Sequence, residues 1–341
     1  MALLAAALFG ASTPLAKGLL QNTSPQLLAG LLYLGSGLGL LLVWGVQRDR
    51  RQREAALSRR DLPWLGGAIA LGGVLGPLLL MLGLLLTPAS SASLLLNLEA
   101  VFTSLIAWAL FREHVPFRIA VGMVAIVAGG AVLSWEGQVA WGSMWGPLAV
   151  AGACLCWAID NNLTQRVSAG DPVQIAQIKG LVAGAVNTGL GLSLGAGLPE
   201  PFPLAAALLV GFLGYGVSLV CFVLALRALG TARTGAYFSL APFIGAVLGL
   251  LLYSEPVTPL FVAAAALMAL GLWLHLSERH EHRHEHETLE HSHAHLHDEH
   301  HRHPHRPGDP AGEPHTHPHR HDRLAHSHPH YPDIHHRHGH S

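Results

Sequence analysis

The body of this chain is built from apolar runs too long and too continuous for a fold in water. A bilayer core about 30 Å thick takes roughly 20 apolar residues of helix. Ten runs of that order follow one another before Ser277: 2–20, 27–46, 63–83, 88–111, 118–135, 146–165, 173–193, 203–226, 233–253 and 258–276. A soluble helical protein would show polar faces at helical spacing, and these runs lack them. The chain is 51% hydrophobic and only 12% charged, about half the charged share of a soluble domain. The expected class is therefore an all-α integral membrane protein with ten transmembrane helices. Pro14, Pro77 and Pro242 inside the runs do not argue against helix, because membrane helices tolerate proline and glycine. The first run begins at Ala2, has no basic stretch before it and outlasts a signal core, so it reads as a span rather than a cleavable leader. Cys154, Cys156 and Cys221 fall inside runs and read as small buried apolar residues.

The charges are unevenly placed. Residues 1–277 carry 13 Lys+Arg and 10 Asp+Glu, whereas residues 278–341 carry 7 Arg, 11 acidic residues and 23 of the 25 histidines. Within the body, basic residues fall in alternate loops. The loop "QRDRRQREAALSRR" has six arginines, and Arg112, Arg118, Arg166, Arg227 and Arg233 mark the other basic turns. The loops "QNTSPQ", "TPAS", "EGQVAWGSMWG", "GAGLPEPFP" and "SEPVTP" have no Lys or Arg. The positive-inside rule then places both termini in the cytoplasm of an inner (plasma) membrane protein. Trp141 and Trp145, in an outer loop, fit an aromatic belt.

The body also repeats. "NLEAVFTSLIAWALFREHV" (97–115) lies on "SLAPFIGAVLGLLLYSEPV" (239–257) without a gap, matching Leu98 with Leu240, Leu110 with Leu252, Glu113 with Glu255 and Val115 with Val257. "SPQLLAGLLY" (24–33) lies more weakly on "DPVQIAQIKG" (171–180). Two halves of five spans each would be inverted relative to one another, an arrangement that places a site near the midplane between them. The expected units are 1–135, 136–277 and a polar tail, 278–341.

"FGASTPLAK" (9–17), "NLEAVFTSLIAWALFRE" (97–113) and "SLAPFIGAVLGLLLYSE" (239–255) resemble the EamA type of the drug/metabolite transporter superfamily, over about residues 1–276. That resemblance implies two five-helix repeats and secondary transport of a small solute. The family's Leu-Glu-Pro pattern reads Leu98-Glu99-Ala100 here, and Leu240-Ala241-Pro242 in the second repeat. Only the first half offers a carboxylate, so the halves are not equivalent.

Ionisable groups inside spans are costly and are site candidates by default. Glu99 lies about midway along the fourth run, either as a proton carrier or as a neutral carboxyl bonded between helices. Asp160 and Lys179 sit at matched depth on consecutive runs, roughly 8–9 Å below the cytoplasmic surface at 1.5 Å per residue. They form an expected ion pair, structural or substrate-binding. Asn161, Asn162, Asn97 and Asn187 extend the polar patch, either reading a solute or linking helices. Lys17, near the outer end of the first run, is expected to snorkel. Tyr33 is expected either to line the cavity or to serve an interfacial or packing role.

The tail has almost no apolar residues and is expected to be disordered. Its histidines recur in alternation: His291, His293, His295, His297, then His300, His301, His303, His305, then His326, His328, His330, His335, His336, His338 and His340. Neutral imidazoles suit Zn, Ni, Co and Cu, and Asp298 or Glu299 could add ligands. Such a tail could collect metal for export, buffer or sense it, or respond to pH as a polycation.

The expected function is export of a small organic metabolite, with Glu99 coupling to protons. The alternatives are a transporter of Ni, Co or Zn fed by the tail, and a membrane-anchored metal buffer or sensor. The sequence has no nucleotide-binding loop, nucleophile triad or HExxH motif, so no enzyme is expected. Lipid, a solute, protons and divalent metals are the expected partners, a homodimer is compatible, and nucleic acid is not expected. No cofactor is required.

Overall fold

A computed structural model describes residues 1–46, 61–111, 117–135, 144–165 and 171–277. It also describes residues 57, 59 and 167, and the tail segments 281–286, 289–295, 315–321 and 324–329. Among the described residues, the regular elements of the body are all helical. Its helices are α1 (Ala2–Leu19), α2 (Pro25–Val46), α3 (Leu62–Ala68), α4 (Gly76–Leu86), α5 (Ala89–Leu95), α6 (Leu98–Phe111), α7 (Phe117–Ser134), α8 (Trp145–Gln165), α9 (Pro172–Ser193), α10 (Pro201–Gly211), α11 (Ser218–Phe238), α12 (Ala241–Tyr253) and α13 (Pro259–Leu276). Proline opens α2, α9, α10 and α13, where its missing N–H costs nothing and its φ suits the helix. Asp171 caps α9 by accepting from the Val173 and Gln174 amides, and Thr258 caps α13 by accepting from Phe261.

Among the described residues, seven stretches are long and apolar enough to cross a membrane: Ala2–Leu19, Pro25–Val43, Leu62–Leu86, Ala89–Ile106, Phe117–Ser134, Pro201–Ala225 and Pro259–Leu276. The helix α12 is apolar but has 13 residues. The helices α8 and α9 have 21 and 22 residues but carry polar groups such as Asp160, Asn161, Gln177, Lys179 and Asn187. Leu42, Phe117, Trp135, Trp145, Phe202 and Leu251 are all exposed, which suits a hydrocarbon or interfacial surrounding. Buried leucines of α2, α4 and α5 form the core with Ile126, Trp157 and Met268.

Two helical stretches change their winding. A π segment, Ile69–Leu75, joins α3 to α4, and another, Phe212–Val217, joins α10 to α11. Two of the expected spans are also divided. The fourth run breaks at Leu96–Asn97, where amides bond back three residues: Leu96 N to Ser93 O at 3.2 Å, Asn97 N to Leu94 O at 3.1 Å and Glu99 N to Leu96 O at 3.1 Å. The ninth run breaks at Ser239–Leu240, just ahead of Pro242, which disfavours helix before it. The turn expected between the eighth and ninth runs is absent. Instead α11 continues to Phe238, because no proline interrupts residues 218–238.

Two helix pairs pack at backbone distance. A methyl group at Gly37 of α2 would lie 2.5 Å from the Leu181 amide nitrogen of α9, and one at Gly184 would lie 2.5 Å from the Leu34 amide nitrogen. Between α7 and α13, a methyl at Gly122 would meet Gly271 O at 2.7 Å, and one at Gly129 would meet Ala264 O at 2.9 Å. Small residues permit such approach in membranes.

The described elements of the body are all α, as expected, whereas extended strands occur in the tail. Strands β1 (Glu281–His286) and β4 (Leu324–Pro329) pair antiparallel, as do β2 (Leu289–His295) and β3 (His315–His321). Alternation of histidine with other residues is a period-two pattern, which extended backbone accommodates.

Candidate functional site

The division between α5 and α6 positions the polar centre. Asn97, at the break, is buried and its Nδ2 donates to Leu94 O at 2.8 Å. The Cys154 thiol of α8 faces Leu95 O and Leu96 O at 3.6 and 3.9 Å. Leu94 O and Leu96 O thus accept from side chains as well as from the backbone amides of the break, and Leu95 O faces the Cys154 thiol. Glu99 follows in the first turn of α6 and is half-buried. Its Oε1 accepts from Asn161 Nδ2 of α8 at 2.7 Å, and Asn161 is exposed. Neighbouring Asn162 turns back on its own helix and donates to Ala158 O at 2.8 Å.

Asp160 and Lys179 stand in contact. Lys179 Nζ donates to Asp160 Oδ1 and Oδ2 at 2.6 and 2.8 Å and to Thr164 Oγ1 at 3.2 Å. Thr164 Oγ1 donates in turn to Asp160 Oδ1 at 2.8 Å. Side-chain exposure is 12% for Lys179 and 8% for Asp160. A methyl group at Gly72 would collide with the Asp160 carboxylate. The pair is thus wedged among α8, α9 and the first π segment, with its charges neutralised inside the protein.

That π segment also gathers side chains. Gly72 O accepts from Tyr33 OH at 2.8 Å and from Trp157 Nε1 at 2.9 Å. Asn187 Nδ2 donates to Gly73 O and Val74 O, both at 3.3 Å, while its Oδ1 is buried without a partner. Tyr33 and Asn187 therefore both bond carbonyls of the rewound segment. Tyr33 is buried. An aromatic chain leads away from it. Tyr33 and Tyr215 have ring centroids 5.4 Å apart, Tyr215 and Phe9 6.0 Å, Phe9 and Phe238 5.4 Å, and Phe238 and Phe222 4.7 Å. Glu99 and Asn161 bring a carboxylate and an amide together between α6 and α8, a pairing that can bond a small polar solute. Among the described residues no group of three or more His, Cys, Asp or Glu stands together to hold a metal ion.

The sequence model of the EamA-like transporter family matches residues 1–135 and 144–277. This chain belongs to the EamA-like transporter family. A relative in Methanothermobacter thermautotrophicus, described as an uncharacterized transporter, is 29% identical over 263 residues, covering 73% of this chain and 77% of that protein. The threonine/homoserine exporter RhtA of Escherichia coli (strain K12) is 29% identical over 246 residues, covering 70% of this chain and 79% of RhtA. A protein of known crystal structure aligns with a TM-score of 0.59 at 19% identity, covering 80% of this chain and 94% of that one. That likeness concerns the fold.

For this EamA-like chain, sequence reasoning missed Trp157, Thr164, Cys154 and Tyr215. Each looked like an ordinary member of an apolar run, and only Thr164, one turn from Asp160, carried a signal. In the tail, His291, His293 and His295 lie in β2, and His326 and His328 in β4. His297, His300, His301, His303, His305, His330, His335, His336, His338 and His340 lie outside the described residues.

Proposed function

We propose that this membrane protein is a secondary exporter of a small organic metabolite, built as two inverted five-helix repeats with both termini in the cytoplasm of a plasma membrane. The repeat is supported by features related by one sequence shift. The shift of 142 residues that lays Asn97 on Ser239 also carries 70–75 onto the second π segment and brings the breaks at 96–97 and 239–240 within one residue of each other. It carries Gly122 and Gly129 onto Ala264 and Gly271, so the two contacts between α7 and α13 exchange with one another. The weaker alignment, a shift of 147, exchanges the Gly37–Leu181 and Gly184–Leu34 contacts in the same way. Exchange of contacts is what a two-fold relation produces. Ten spans fit this pairing when α8, α9 and the divided α11–α12 stretch are included.

The observation that carries the functional reading is Glu99. Among the described residues it is a carboxylate inside a span with no cation partner, hydrogen-bonded to an exposed asparagine. A carboxylate so placed can take a proton when the solute leaves and release it when an ammonium-bearing solute arrives. The likeness to RhtA supports an amino-acid-like solute and outward transport. Asp160 and Lys179 hold the wall rather than the solute. The test is flux of labelled threonine, homoserine and simple amines in proteoliposomes under a pH gradient. Flux that falls at least about a hundredfold in Glu99→Gln supports the reading; wild-type flux in that variant contradicts it.

The tail is proposed to bind Zn, Ni, Co or Cu. Register sets 282 opposite 328 and 284 opposite 326, and in the other ladder 291 opposite 319, 293 opposite 317 and 295 opposite 315, all of them histidine positions. Residues two apart on a strand share a face, so the backbone groups imidazole-bearing positions in pairs. Isothermal titration of the full chain and of a chain ending at Ser277 checks this. Binding that persists unchanged after truncation contradicts it.

A further inference from the structure

The register of the two tail ladders sorts histidine by face. Residues directly opposite one another in an antiparallel pair, and residues two apart along a strand, share a face. In the ladder of β1 and β4, 282 lies opposite 328 and 284 opposite 326. These four histidine positions share one face with His286 and Leu324, while the other face carries Glu281, Arg283, Glu285, Ala325, Ser327 and Pro329. In the ladder of β2 and β3, 291 lies opposite 319, 293 opposite 317 and 295 opposite 315. His321 and Leu289 extend that face, and the other face again carries no histidine. Moving either strand by one residue would set every histidine against a residue of another kind. Both ladders stand instead in the register that matches histidine with histidine.

Composition alone does little to hold these ladders. A two-stranded ribbon is marginal in water, and each histidine face offers a single leucine. Protonated imidazoles directly opposite one another would repel. Neutral imidazoles are metal ligands, and an ion held by both strands would supply the missing link, because its binding energy becomes folding energy. The spacing suits one ion for two neighbouring pairs. Positions lie about 5 Å apart across the strands and about 7 Å apart along them, at two residues' rise. Imidazoles at the four corners of such a rectangle can converge on an ion above its centre, at an N–metal distance of about 2.0–2.1 Å. Ligands that all come from one face form a base and leave the far side open. That is a tetragonal arrangement, which suits Ni(II) or Cu(II).

We infer that each ladder is a metal clasp. His282, His284, His326 and His328 hold one Ni(II) or Cu(II) ion between β1 and β4. Two neighbouring pairs among His291, His293, His295 and their partners across the ladder hold a second between β2 and β3. This rests on the reading of the tail as a metal binder and adds that a shared face, rather than the number of histidines, sets the affinity.

The test keeps the full chain and its histidine count, and moves pairs to the other face. His284→Glu/Glu285→His/Ala325→His/His326→Ala leaves two cross-strand pairs in the β1–β4 ladder, on opposite faces. His293→Ala/Ala294→His/Thr316→His/His317→Thr moves the middle pair of the β2–β3 ladder in the same way. Isothermal titration with nickel or copper chloride in detergent at pH 7.5 measures affinity and stoichiometry against a chain ending at Ser277. The nitrogen hyperfine pattern of bound Cu(II), read by electron paramagnetic resonance, reports the ligands. The parent should take two tight ions through the tail, one per ladder, each with four nitrogens. Each face exchange should weaken one of them at least about tenfold, since two pairs no longer act on one ion, and leave the other unchanged. Arg283→Glu/Glu285→Arg, an exchange within a face that has no histidine, should bind as the parent does. Binding by both face-exchange variants with the parent's affinity and stoichiometry overturns the inference while leaving the tail a metal binder by histidine number. Binding that is the same in the full chain and in the chain ending at Ser277 overturns the metal reading as well.

Discussion

At the scale of the residue, buried charge divides into two kinds. Asp160 and Lys179 satisfy each other and Thr164, so removing one partner strands the other. Asp160→Asn or Lys179→Gln alone should cost about 3–5 kcal/mol of stability, read as a lowered unfolding temperature in detergent. The double variant should recover much of that loss; a double variant as unstable as the sum of both would show that the pair is not a unit. Among the described residues, the Glu99 carboxylate bonds an amide rather than a cation, and its removal should spare the fold while stopping coupled flux. Both groups were legible in the sequence, because an ionisable residue within an apolar run stands out against its cost. Their different roles were not legible. Matched depth pointed to the ion pair, but Thr164 and the Gly72 contact, which seal that pair inside the wall, depend on how three helices cross.

At the scale of the element, helices could be read from apolar length, but their interruptions could not. The π segments at 69–75 and 212–217 and the break at 96–97 sit in runs whose hydropathy is continuous, since rewinding changes hydrogen bonding rather than composition. Pro242 reads in the sequence as compatible with a continuous span, although the chain breaks at 239–240 just before it, and charge sets a turn at 227–233 that α11 passes straight through. Backbone contact between helices is testable directly. Gly271→Ala places a methyl 2.5 Å from Gly122 O and should cost about 1–3 kcal/mol by forcing α7 and α13 apart. Gly66→Ala, where a methyl meets nothing within 4 Å, should stay within about 1 kcal/mol of the parent, on the stabilising side, because alanine favours helix. Equal losses at the two sites would show that the close approach does not matter.

At the scale of the whole molecule, an apolar body is joined to a histidine-rich tail. Imidazole binds metal only when neutral, so metal held by the tail at pH 7.5 should be released as pH falls through about 6.5. Equilibrium dialysis at pH 5 and pH 7.5 measures this, and retention at pH 5 would assign the metal to other groups. The body's membrane class and family likeness were readable from its runs and its repeated motifs. The extended ladders of the tail were not, because low apolar content argued only against a core and the histidine alternation was read as ligand spacing alone. The central claim is that Glu99 couples solute flux to protons in the body without help from the tail. The most direct measurement follows labelled threonine, homoserine, simple amines, Ni, Co and Zn in one proteoliposome assay under a pH gradient, for the full chain, Glu99→Gln and a chain ending at Ser277. The account predicts organic-solute flux that survives truncation and is lost in Glu99→Gln. Flux of metal alone, abolished by truncation, or organic flux untouched by Glu99→Gln, would contradict it.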